Sequence, residues 1–125
     1  MMGKELGEKL NKLMHTEAAC KLLPEEYNTY SEGGCRILAK ALSKAIDGEV
    51  WTAMKRNQAE HYLVEKGGWL FDAMGARKAT DFRKEFYKET GHLVLLAMYE
   101  VNSREIPTDA EVENKLYEYL RENLK

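Results

Sequence analysis

Leu6, Leu10, Leu13 and Met14, with Leu22 further on, recur at helical steps among Lys, Glu and Asn. This spacing predicts an amphipathic helix over residues 4–22, stopped before Pro24, with Cys20 near its end as a packing residue. The stretch "PEEYNTYSEGG" carries proline, polar residues and two glycines, and reads as a loop. It delivers the chain to Cys35, where a second helical period begins. Leu38, Ala41, Leu42 and Ala45 share one face over residues 35–46, Arg36, Lys40, Ser43 and Lys44 the other, and the Asp47-Gly48 pair ends the run. Cys35, three residues before Leu38, falls on the buried side.

Beyond Gly48 the pattern changes to strands. "EVWTAMKR", "EHYLVEK" and "WLFDAM" are rich in β-branched, aromatic and apolar residues, and the last two flank Gly67-Gly68 as a hairpin. "TDFRKEFYKETG" predicts a short helix capped by Thr80 or Asp81, and "HLVLLAMYEV" a further strand. In the final stretch Thr108 and Glu111 form a capping box, after which Val112, Leu116, Tyr119 and Leu120 line one helical face. The order helix, helix, three strands, helix, strand, helix, without internal repeats, predicts an α+β fold. N-terminal helices would pack on an antiparallel sheet of about four strands, with a C-terminal helix, as one domain spanning residues 1–125.

A two-residue Gly67-Gly68 turn fixes the hairpin register. Lys66 then faces Trp69, Val64 faces Phe71, Leu63 faces Asp72, and His61 faces Met74. Since residues two apart share a face, His61, Leu63 and Asp72 lie on one side, with His61 and Asp72 as diagonal neighbours within side-chain reach. A three-residue loop would reverse this parity. The helix over residues 35–46 is expected to pack on that same face, with its first turn and Cys35 near His61.

Composition narrows the functional classes. Lys and Arg number 19 against 21 Asp and Glu, a formal charge of −2 that leaves no basic excess for a phosphate backbone, so nucleic acid is not an expected partner. No stretch is apolar enough for a membrane span, and no secretory signal is read. Cys20 and Cys35 are the only cysteines, far from the density of a disulfide scaffold, so free thiols in a reducing cytoplasm are expected. His15, Glu17 and Cys20 lack the further ligands of a zinc site; no metal or cofactor is expected, and His15 and His92 read as surface residues.

Cys35 begins a helix, where unpaired N–H groups and the helix dipole favour thiolate, and its two preceding glycines would admit close approach of a substrate backbone. A His61–Asp72 pair fixes the imidazole tautomer and stabilises the imidazolium, as a general base beside a thiol requires. "GGC" opening a helix, then His61 on a strand, then "WLFDAMG" ending the next, resembles the papain-like cysteine-hydrolase superfold, including small phage or bacterial cysteine peptidase-like and transglutaminase-like families. That resemblance covers roughly residues 28–91 and implies Cys35 as nucleophile, His61 as general base and acid, and Asp72 as the orienting group. The chain departs from larger members in having Arg36 rather than an aromatic after Cys35, and no glutamine shortly before it. Asn28, Tyr30 and Ser31 are the oxyanion-donor candidates alongside the Cys35 N–H. The expected function is a cysteine hydrolase or acyltransferase acting on a peptide, protein or small amide. The alternative is a non-catalytic binding or inhibitory module of the same fold, holding a peptide or small signalling molecule.

Overall fold

The structure, a computed structural model, describes residues 3–27, 29–31, 33–56, 58–98 and 110–124. Helices α1 (Gly3–Met14) and α2 (Glu17–Leu22), a 3-10 turn (Glu25–Tyr27) and helix α3 (Cys35–Ile46) precede strands β1 (Glu49–Lys55), β2 (Gln58–Lys66), β3 (Trp69–Asp72) and β4 (Gly75–Lys78). Helix α4 (Ala79–Thr90), strand β5 (Leu95–Met98) and helix α5 (Ala110–Asn123) follow. The strands form one antiparallel sheet in the order β4-β3-β2-β1-β5, so the fold is α+β. The Thr108 cap and the tail of the predicted last strand, 99–101, lie outside the described residues.

Local chemistry explains the differences from the pattern-based reading. The single helix expected over 4–22 is two, because Thr16 competes with the helix for backbone partners. Its hydroxyl donates to Leu13 O at 2.8 Å and accepts from Ala19 N at 3.2 Å, closing α1 and capping α2. Cys20, expected to pack, is exposed. Helix α3 matches its predicted span, and Asp47 ends it in the left-handed region, φ 57°, donating its N–H to Ser43 O. Helix α4 starts with Lys78 at the cap rather than Thr80 or Asp81, and ends at Gly91, whose φ is 77°.

Gly67 and Gly68, at φ 60° and 84°, make the tight turn with both central residues in positive φ. The ladder pairs Lys66 with Trp69, Glu65 with Leu70 and Val64 with Phe71, the expected register. Strand β3 stops at Asp72, however, and the chain turns back through Ala73-Met74 into β4, a strand the sequence pattern concealed. "GARK" is too short and too polar to register as one.

The sheet buries both faces. Val64 and Phe71 pack with Leu10, Ile37, Leu38, Leu42 and Leu116 beneath α1, α3 and α5. On the opposite face Ala53, Leu63 and Leu70 pack with Phe82 and Phe86 of α4 and with Val94. This corrects one expectation: α3 covers not the face carrying His61 but the other one. Helix α5 is held to α3 by Glu113, buried between Lys44 Nζ at 2.7 Å and Lys40 Nζ at 3.7 Å. Helix α1 crosses β4 closely at Gly7, where an added Cβ would sit 2.5 Å from Ala76 N. Backbone cannot yield as a flexible side chain does, so Gly7→Ala should destabilise the fold by about 1–3 kcal/mol, read from chemical denaturation.

Candidate active site

His61 owes its orientation to an irregularity in β2. Ala53 of β1 pairs with His61 while the next residue, Met54, pairs with Ala59, so Glu60 is the extra residue of a β-bulge. Upstream of the bulge Gln58, Ala59 and Glu60 are exposed; at His61 the side chain turns in to join Ala53 and Leu63. Its ring stacks on Phe86 of α4, with centroids 6.0 Å apart. His61 Nε2 donates to Asp72 Oδ2 at 2.9 Å, and both side chains are buried.

Asp72 is held from two further sides. Its Oδ1 accepts the Met74 N–H at 2.9 Å, bracing the turn between β3 and β4, and Arg77 Nη2 lies 3.7 Å from Oδ2. Arg77 is itself fixed, 2.8 Å from Glu89 Oε1 and 5.0 Å above the Phe82 ring. Its contribution was invisible in the sequence because it rides on β4.

Cys35 is the first residue of α3 and only 6 % exposed. Although α3 packs on the opposite face, the Cys35 thiol hydrogen-bonds with the His61 ring, and β3 pairs only with residues 64–66 of β2. Beside residues 58–63 no strand among the described residues occupies that edge. Asp72 occupies Nε2, which leaves Nδ1 for the thiol. Burial pulls the His61 pKa down, but the hydrogen bonds of its ring to Asp72 and with Cys35, and the charges of both, outweigh it, lifting the pKa from 6.5 to about 9.

The glycines before Cys35 serve the loop rather than a substrate. An added Cβ at Gly33 would stand 2.7 Å from Tyr27 O, and one at Gly34 2.8 Å from the Leu23 side chain. Gly34 is also the cap of α3 and brings no side chain to its first-turn N–H groups.

Of the oxyanion candidates, Asn28 lies outside the described residues. Tyr30 is withdrawn as a donor: it is buried, and its hydroxyl donates to Ala19 O at 2.7 Å. Burial, then Cys20 and Tyr119, pushes its pKa above the ordinary phenol range. Ser31 borders a cavity of about 290 Å³ that is also lined by His61, Asp72, Glu60, Arg77 and His92. The arrangement therefore presents a thiol, an imidazole and a carboxylate in line, with Ser31 and the start of α3 beside them. His92, read as an unpartnered surface residue, pairs with Glu60 across this cavity at 3.2 Å. Nothing in the spacing of the two indicated that contact. His15, likewise read as surface, has Nδ1 2.7 Å from Asn11 O.

Compared with family models, curated proteins and solved structures, the chain matches none. Among the described residues no helix is long and apolar enough to cross a membrane.

Asp72→Asn removes the strongest of the influences that raise His61 while leaving the ring buried, so the His61 titration should move down from about 9, as followed by NMR of the imidazole C–H signals. Because the folded pKa stands above the unfolded one, the stabilisation from His61 is complete below pH 6.5 and is lost as pH rises through about 9. The unfolding midpoint of the wild type should fall across that window, and that of His61→Gln should lack this component.

Proposed function

We propose that the chain is a small cysteine hydrolase or acyltransferase of papain-like architecture, acting on a peptide or amide bond. The observation that carries this reading is the single His61 ring shared between the Asp72 carboxylate, at 2.9 Å, and the Cys35 thiol. A buried His–Asp pair can serve structure alone, but the third partner is a nucleophile at a helix start, and the cavity beside them opens to solvent.

In the proposed reaction the Cys35 sulfur, as thiolate beside the imidazolium, attacks the carbonyl carbon. The carbonyl oxygen becomes an oxyanion, met by the Cys35 N–H and by Ser31. As the C–N bond breaks, His61 gives its proton to the departing amine, leaving an acyl thioester and neutral imidazole. His61 then takes a proton from water, whose oxygen attacks the thioester carbonyl. The carboxylic product leaves, and thiolate and imidazolium are restored. An amine in place of water gives transfer. Asp72 keeps Nε2 protonated throughout, so that Nδ1 is the nitrogen that exchanges the proton. A reducing cytoplasm is the proposed compartment, since it keeps the Cys35 sulfur available.

Alkylation by iodoacetamide at neutral pH, read peptide by peptide by mass spectrometry, separates this reading from a packing role. Access alone favours the exposed Cys20 over the buried Cys35. An activated Cys35 should instead react about tenfold or more faster than Cys20, and His61→Ala should remove most of that advantage. Faster labelling of Cys20 in the wild type would sink the nucleophile and leave the cleft as a binding site.

A further inference from the structure

A second cavity, of about 240 Å³, adjoins the first, and its walls are of a different kind: Met14, Leu23, Tyr30 and Ala73, with Cys20 and His15 at the rim. Ser31 borders both cavities. Ala73 borders one and Met74 the other, and these are consecutive residues of the turn after Asp72. Leu23 lies directly against Gly34, the residue before Cys35. Sharing Ser31 and flanked by the same turn, the two cavities lie side by side near the start of α3, as two arms around Ser31. One arm is mainly apolar; the other carries the ion pairs Glu60–His92 and Arg77–Glu89.

The direction in which a substrate lies follows from proton transfer, and here the inference rests on the hydrolase reading above. The leaving nitrogen must come within hydrogen-bond reach of His61, which lines the ionic arm. The acyl portion then extends the other way, over the start of α3 and into the apolar arm. Its volume is below the roughly 300 Å³ at which pockets begin to hold a whole drug-sized ligand, so it suits one side chain. We infer that the substrate is an amide whose carbonyl side bears an apolar group of leucine or phenylalanine size, seated among Met14, Leu23, Tyr30 and Ala73. Its amine side is polar or charged and lies along Glu60, Arg77 and His92. Tyr30, withdrawn from the oxyanion by its bond to Ala19 O, acts as the floor of this subsite.

The test compares two chloromethyl ketones that differ in one side chain, those of N-acetyl-leucine and N-acetylglycine. The Cys35 sulfur bonds to the methylene carbon as chloride leaves, and iodoacetamide serves as the reference reagent without a side chain. At equal warhead chemistry the leucyl reagent should modify Cys35 about tenfold or more faster than the glycyl one, the discrimination an apolar pocket gives for an added aliphatic group. Cys20→Trp, at an exposed position on the rim, should narrow that ratio by filling the arm. Equal rates of the two ketones, with Cys35 still quickly alkylated by iodoacetamide, would overturn the apolar subsite and leave the hydrolase reading standing. Leucyl modification of Cys20 in place of Cys35 would overturn the direction assigned to the acyl group. Slow iodoacetamide alkylation of Cys35 would remove the reading on which both depend.

Discussion

The Asp72 carboxylate is the point at which fold and site become one problem. A buried carboxylate is costly unless its oxygens are satisfied, and this one receives the His61 ring, the Met74 backbone N–H and the neighbouring Arg77 guanidinium. Those partners come from β2, from the turn after β3, and from β4. Removing the carboxylate would thus release an imidazole, a turn and an arginine together. The charges in this region are also graded outward: Asp72 is innermost, Arg77 next, and Glu85 and Glu89 of α4 lie beyond it at 3.9 and 2.8 Å. The outer pairs are more exposed and correspondingly weaker, while the inner one sits where solvent screens least.

The unequal lengths of β2 and β3 are the second constraint. If β3 ran as far as β2, its backbone would close the sheet beside His61 and separate the imidazole from everything on the α3 side. By stopping at Asp72 and folding back as β4, the chain leaves the β2 edge beside His61 without a strand partner among the described residues. The nucleophile and its base can thereby belong to opposite layers, each anchored in its own apolar cluster. Two independently packed layers hold the site more rigidly than a loop would.

Much of this was legible in the residues, for reasons that differ from element to element. The hairpin register followed from Gly67-Gly68, because a two-residue turn admits few geometries, and that register correctly put His61 and Asp72 on one face. Helix α3 was legible because its apolar face is continuous and ends at a residue pair suited to left-handed backbone. The break at Thr16 was not, since threonine inside a helix and threonine capping one look alike until the backbone partners are known. Strand β4 was lost for its brevity, and Arg77 with it. The layer on which α3 packs was also misjudged: both faces of the hairpin are apolar, Val64 and Phe71 on one, Leu63 and Leu70 on the other, so periodicity could not choose between them. Tyr30 failed as an oxyanion candidate for a related reason, since it sits in a loop whose buried contacts no local pattern encodes.

Helix α4 buries only Phe82 and Phe86, yet it supplies the ring stacked on His61 and the carboxylates around Arg77. An element so lightly anchored opens at a lower free energy than the sheet beneath it. Opening of α4 would therefore expose the His61 ring that Phe86 covers. The burial that pulls against the two partners of His61 thus depends on how this one helix is seated.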